Sequence, residues 1–342
     1  MSRKRIVGCD NGHFGIKVYA GLEHKHSITS RCRIGGSSQT EFGSSGQDSA
    51  EMIFSTENEL YTTGSLQSEV TTFADYPLSP INRVLVNSCL HQADFTQSSE
   101  FRNLDLVLGL PYAQYYSKKH KSGRNEDLIS GMENNILIPV TNVSSDLRQF
   151  KIESCMTVPE GMAAWFSYIV KEEYSNGKVK PVFDELKGQQ TTVFIDIGGG
   201  TTEVVTVADK MIQKDYSGTI SQGSHRITED LRRYIYEQTD VNSISERKIH
   251  QSLATKRIVI NGQTLDLTQA IKSFQNKLVH KINSFTDSLL RDIKGDIDAK
   301  ILVGGTSIDL QEELMQWQGV TLSEDPLYEN AKGMYLFKKY LA

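Results

Sequence analysis

The chain has 342 residues, 38% of them hydrophobic and 23% charged. That is two domains' worth at about 150 residues each, with enough apolar material for two cores, which excludes a disulfide miniprotein or a disordered tail. With 37 Lys+Arg against 42 Asp+Glu the formal charge is −5, so the composition does not point to direct nucleic-acid binding. Cys9, Cys32, Cys89 and Cys155 lack zinc-like spacing, and neither a secretory leader nor a run of ~20 apolar residues is recognisable. Reduced thiols and a soluble, cytoplasmic protein without membrane contact are therefore expected.

The spacing predicts two short strands, Ile6 to Cys9 and Ile16 to Tyr19, joined by Asp10-Asn11-Gly12-His13-Phe14-Gly15, where Asn-Gly is a hairpin signal. The Ser/Gly/Thr-rich stretch around residues 24–70 suggests an irregular β-rich insertion. A helix is expected over Ile81 to Ala93, a buried strand over Leu104 to Leu110, and a polar, mobile segment over Ser117 to Glu126. Pro159 to Glu172 has the pattern of a helix with proline in its first turn.

The opening pattern then recurs. Thr192 to Ile195 is a strand ended by Asp196, followed by Ile197-Gly198-Gly199-Gly200-Thr201-Thr202 and a second strand, Glu203 to Val207. Lys300 to Gly305 repeats the apolar strand that ended at Gly109, after a comparable interval. This is an internal duplication. Helices are expected over Ile227 to Thr239, over Leu267 to Asp292 with Ile271, Phe274, Leu278, Ile282, Phe285 and Leu289 as its core face, and over Ala331 to Leu341.

Two strand-ending carboxylates beside glycine-rich turns suit one polyphosphate and its metal. Backbone N–H groups approach the phosphate oxygens, and the carboxylates balance the cation. Three consecutive glycines let the backbone curve around phosphates, and Thr201 and Thr202 add hydroxyls. A single Gly-rich turn is weak evidence, but its duplication is strong.

Asp10-Asn11-Gly12, Asp196 to Glu203 and Val303-Gly304-Gly305-Thr306 resemble the phosphate-one, phosphate-two and adenosine motifs of the actin-like ATPase superfamily. Within it the chain is most similar to the ParM/StbA plasmid-segregation family, on Leu110 to Tyr116, Val158-Pro159-Glu160 and Lys332 to Leu336. Asn11 stands where many of those proteins carry a second Asp, and the triple glycine followed by Thr-Thr-Glu resembles the shape actin MreB.

The resemblance implies an α/β actin-like fold, two duplicated ribonuclease-H-like domains around a nucleotide cleft. The first is expected over 1–160 with the closing segment 331–342 packed back on it, the second over 161–330. It implies Mg²⁺ held through its waters by Asp10 and Asp196, ATP or GTP as nucleotide, and Glu160 positioning the attacking water with Asp196 as its catalytic companion. Asp10, Asn11, Gly12, His13, Lys17, Gly198, Gly199, Gly200, Thr201 and Thr202 would line the phosphates, and Gly223, Gly304 and Gly305 the ribose and adenine.

Each assignment has a plain structural alternative: a turn-capping Asp, a solvated edge lysine at 17, a helix-start carboxylate at 160, a tolerated loop residue at His13. The implied function is a polymerising ATPase whose head-to-tail filament segregates plasmid DNA through a ParR-like adaptor at a centromere. Another bacterial or phage actin, or a small-molecule kinase of the same fold, is the alternative.

Overall fold

The computed structural model describes residues 4–22, 24–36, 51–64, 68–69, 71–93, 96, 102–117, 120–143, 149–175 and 177–342. They divide into two compact units, Met1–Gln189 with Leu327–Ala342, and Gln190–Pro326.

The first unit opens with β1 (Arg5–Asn11), β2 (Gly15–Tyr19) and β3 (Lys25–Thr29), an antiparallel meander. β4 (Cys32–Ile34), β5 (Met52–Thr56) and β6 (Glu59–Thr63) follow, then α1 (Pro80–Gln92), whose N-terminus is capped by the Ser79 hydroxyl. Next come β7 (Asn103–Leu110), α2 (Tyr112–Tyr115), α3 (Glu126–Leu137), β8 (Thr141–Asn142) and β9 (Lys151–Pro159). β7 and β9 join β1 in parallel, giving the order β3-β2-β1-β7-β9, while β4-β6-β5-β8 form a separate sheet.

Strand alternation sorts the side chains. Val7, Cys9, Leu106 and Leu108 face Val84, Leu85 and Cys89 of α1. On the opposite face Val107 and Val158 meet Ala163 of α4 (Glu160–Ile169) and Met334 of the closing helix, Glu329–Tyr340. Cover on both faces is why the central strand around Leu106 reads as a continuous apolar run.

The second unit repeats the scheme. β12 (Thr192–Ile197) and β13 (Thr202–Ala208) form the hairpin, with β14 (Met211–Ile212) and β15 (Gly218–Ile220) both pairing β13. Helices α6 (His225–Gln238) and α7 (Glu246–Thr255), the hairpin β16 (Arg257–Ile260) to β17 (Gln263–Asp266), and α8 (Thr268–Leu289) precede β18 (Ala299–Val303), α9 (Gly305–Asp309), α10 (Gln311–Leu314) and β19 (Val320–Leu322). The order β14-β13-β12-β18-β19 again places an antiparallel hairpin beside two parallel strands. Ile195, Val204, Leu278, Ile282 and Leu302 share one core, and Leu231, Ile249, Ile258 and Ile271 a second.

Three sequence expectations change. Helix α4 stops at Ile169 rather than at residue 172, because the chain turns into the hairpin β10 (Val170–Ser175) to β11 (Lys178–Phe183), followed by α5 (Glu185–Gln189). The boundary between the units therefore falls after Gln189, not after residue 160, and the closing portion begins at Leu327. The reason is packing. Lys339 Nζ donates to Glu172 at 2.7 Å and the Tyr340 hydroxyl donates to it at 2.6 Å, Ser167 bonds Glu329, and a Cβ on Gly333 would overlap the Ala163 carbonyl. Third, of the expected insertion, β3 belongs to the main sheet and only β4 to β6 form the outer one, while 37–50, 65–67 and 70 lie outside the described residues. In the polar segment 117–126, Ser117 N donates to Gly123 O at 3.1 Å and Asn125 N to Tyr115 O at 2.8 Å, and residues 118–119 lie outside the description.

Among the described residues no helix is long and apolar enough to cross a membrane. All four cysteines are free thiols, and burial pushes Cys32 up to about 12.

Gly333→Ala is expected to cost about 1–3 kcal/mol by overpacking the contact between α4 and the closing helix. Gly188→Ala in α5, where a Cβ meets open space, should be neutral or stabilising by up to about 1 kcal/mol. Denaturant midpoints of the two variants check this; a Gly333→Ala protein as stable as the parent would remove that contact as the cause of the boundary.

Candidate functional site

The two hairpins carry their acidic residues at the same register. Asp10 is opposite Lys17 and Asp196 is opposite Glu203, and each strand continues one residue past its aspartate. Both aspartates sit at the carboxyl ends of central strands, each with its antiparallel hairpin partner on one side and a parallel strand on the other, the place where open α/β sheets receive ligands.

In the first unit Lys17 Nζ donates to Asp10 Oδ2 at 3.0 Å, with both side chains mostly buried. Lys17 is therefore not a solvated edge lysine. Glu160 begins α4 directly after β9 ends at Pro159, and its Cγ and Oε1 lie 2.9 and 3.1 Å from where a Cβ on Gly109 would stand. Cys9, Leu108 and Thr157 are register partners across β1, β7 and β9. Asp10 and Glu160 consequently emerge at the same sheet end, separated across the sheet by two strand spacings, about 10 Å.

Asn11 and His13 depart from the expectation. Asn11 follows Asp10 on a strand and so points to the opposite face. Its Nδ2 donates to Asn82 Oδ1 at 3.5 Å on α1 and approaches Met132 Sδ at 3.6 Å, inside the core. The His13 ring packs on Tyr76, 4.7 Å between centroids, with Nδ1 against the Thr71 carbonyl.

In the second unit Gly198 N donates to Thr201 O at 2.9 Å and closes the turn. The turn's carbonyls are tied down. Gly198 O accepts from Ser224 N at 3.3 Å and from Thr306 Oγ1 at 3.0 Å, and Gly199 O accepts from His225 N at 2.8 Å. Gly223 allows this approach, since a Cβ there would lie 2.5 Å from both carbonyl oxygens. Gly304, at φ +86°, presses against Asp196 and Ile197 so closely that any Cβ would overlap them, and Gly305 opens α9 just beyond it.

Thr202 is another correction. It is fully buried and its hydroxyl donates to Gln222 O at 2.8 Å, so it braces the fold, whereas Thr201 is exposed on the turn beside Gly199 and Gly200. Two residues the sequence reading did not assign also belong to this cluster. Glu203 is buried opposite Asp196 with Thr219 Oγ1 donating to its Oε1 at 3.0 Å, and Thr306 holds Gly198. Cross-strand parity gives the signal for Glu203, and for Thr306 the signal is its place at the end of the motif Val303-Gly304-Gly305-Thr306.

Two family models match the chain in tandem, the actin-like proteins N-terminal domain over residues 8–162 and the archaeal actin homologue MreB-like C-terminal domain over 194–316. The chain belongs to the actin-like ATPase superfamily. Within it the fold is similar to that of ParM. A 15-stranded ParM filament from Clostridium botulinum matches at 18% identity, covering 98% of this chain and 99% of that one, with a TM-score of 0.73. The archaeal actin homologue Ta0583 in complex with ADP matches at 18% identity over 97% and 98%, TM-score 0.71, and Bacillus thuringiensis ParM with ATP at 11% over 99% and 98%, TM-score 0.66. No curated protein sequence matches.

Thr202→Val should cost about 1–3 kcal/mol because the Gln222 carbonyl loses its donor, and Thr201→Val should stay within about 0.5 kcal/mol of the parent as an exposed change. Urea unfolding of the pair measures it; equal midpoints would put Thr202 back among the candidate ligand contacts.

Proposed function

We propose that this chain is a filament-forming, Mg-ATP-dependent actin-like protein that acts in plasmid DNA segregation. The observation that carries the reading is the pair of hairpins, each with an aspartate at the same register beside a turn whose carbonyls are bonded back into its own unit.

The residues suit a magnesium nucleotide. Asp196 and Glu203 are carboxylates directly opposite each other, an arrangement that a cation stabilises. Mg-ATP, when bound, would supply the phosphoryl group and the charge that neutralises it. In the first unit Asp10 would hold the metal's waters, Lys17 would be the cation of the hairpin, the turn around Gly12 would offer amides to phosphate and Glu160 would orient the attacking water; in the second unit Asp196 would hold the metal's waters, the turn from Gly198 to Thr201 would offer amides, and Gly223, Gly304 and Gly305 would border the nucleoside.

Self-association is supported by the similarity to ParM and Alp12 filaments; a repeated heterologous contact makes such filaments. An acidic chain of net charge −5 fits a segregation role through a ParR-like DNA-binding adaptor rather than through its own contact with DNA. The cytoplasm is the compartment this implies.

Hydrolysis should accelerate above a threshold protein concentration as polymer forms. Light scattering and phosphate release recorded together check this, and turnover strictly proportional to protein with no sedimentable polymer would sink the filament reading.

Glu160→Ala should keep Mg-ATP affinity and assembly but lose ~10²–10⁴-fold in single-turnover hydrolysis, since positioning water acts on the transition state. If Glu160 only favours the start of α4, the variant instead loses about 0.3–1 kcal/mol of stability with its rate intact. Thermal midpoint and rate measured on one preparation separate the two.

A further inference from the structure

The turn between β1 and β2 is held by its carbonyl oxygens. Gly12 O accepts from Ser30 Oγ at 2.9 Å and from the Tyr76 hydroxyl at 3.4 Å. His13 O accepts from Thr71 Oγ1 at 2.6 Å, and Phe14 O from Ser30 N at 3.2 Å. No peptide bond here is cis, and across a trans peptide the C=O and the following N–H point in opposite directions. Turning the Gly12 and His13 carbonyls inward therefore turns the N–H groups of His13 and Phe14 outward. That amide edge is what an anion needs.

The His13 side chain completes the arrangement. Its Nδ1 lies 2.5 Å from Thr71 O; a carbonyl only accepts, so Nδ1 carries the proton and Nε2 is the basic nitrogen. Burial draws the imidazole's pKa below its ordinary value, which keeps the ring neutral. His13 and Thr71 thus exchange two hydrogen bonds, backbone for side chain in each direction, and the ring is backed by Tyr76.

We propose that His13 is a positioning residue, clamped to Thr71 so that the amides of His13 and Phe14 are set for a phosphate group, and that it does not itself ligate the phosphate. The proposal rests on reading the hairpin as a phosphate site. It gives a histidine at this turn a role different from that of a phosphate contact, and it ties the turn to the segment 71–76 that leads into α1.

Asparagine and glutamine separate the two roles. The amide nitrogen of Asn takes the place of Nδ1, and that of Gln the place of Nε2. Mg-ATP affinity should fall about tenfold in His13→Ala and His13→Gln, as expected for losing a hydrogen bond or two of about 1 kcal/mol each, and stay within about threefold of the parent in His13→Asn. Thr71→Val should weaken affinity too, with kcat changed less than Kd. Without nucleotide, amide exchange at His13 and Phe14 should quicken in the Ala and Gln variants and not in Asn.

Retained affinity in His13→Gln with loss in His13→Asn would overturn the proposal in favour of a direct Nε2 ligand. Unchanged amide exchange in His13→Ala would abolish the clamp. A parent protein that does not bind Mg-ATP would sink the nucleotide reading and the phosphate half of this proposal, whereas the exchange measurement bears on the clamp alone.

Discussion

A carboxylate near the end of a buried central strand is the constraint from which both units are built. Removing an aspartate from water costs several kcal/mol unless its charge is answered, and Asp10 is only 8% exposed. The first unit answers it with Lys17 directly across the hairpin at 3.0 Å. The second places Glu203 at the equivalent position. The halves of the duplication are thus alike in backbone and different in charge: the first hairpin is a balanced pair, the second sets two carboxylates side by side where a cation is favoured.

The turns solve a different problem by the same means in both units. A turn that is to receive phosphate must present N–H groups, and so must dispose of its carbonyls elsewhere. In the second unit the first residues of α6 and Thr306 take them; in the first, Ser30, Thr71 and Tyr76 do so. The glycines at 223 and 304 matter because other backbone has to come so close. In both units the donors come from segments far from the turn in sequence, so each turn's shape is a property of its folded unit.

That distance explains what the sequence could and could not disclose. The hairpins, the aspartates and the glycine turns are local patterns, and they stand where their spacing puts them. The face taken by the Asn11 side chain is legible in the sequence: Val7 and Cys9 alternate into the core, and a strand continuing past Asp10 carries Asn11 with them. Thr202 looked like a turn hydroxyl because its acceptor, Gln222 O, lies 20 residues on. Strand β9 mixes polar and apolar residues without a clean period, whereas two other elements carry a local signal: Asn261-Gly262, both at positive φ, marks the hairpin of β16 and β17, and Ile129, Met132 and Ile136 recur at helical spacing in α3. The end of α4 depended on Val170 entering a strand whose partner, Phe183, follows after a turn at Gly177.

The position of α4 carries the last step. Glu160 is brought to the end of the sheet because β9 runs parallel to β7 and ends at Pro159, leaving Glu160 as the first residue of the helix. The helix is held there by the closing helix, whose Gly333 allows backbone contact at Ala163 and whose Lys339 and Tyr340 bond Glu172 beyond α4. In the proposed role of orienting water, Glu160 would have to be fixed to within about 0.5 Å by its surroundings. On that proposal the C-terminal segment is part of the site's construction although it contributes no candidate ligand. It also follows that changes around Gly333 reach Glu160 through the packing of α4, whereas the charge pair of Asp10 and Lys17 is set within its own hairpin.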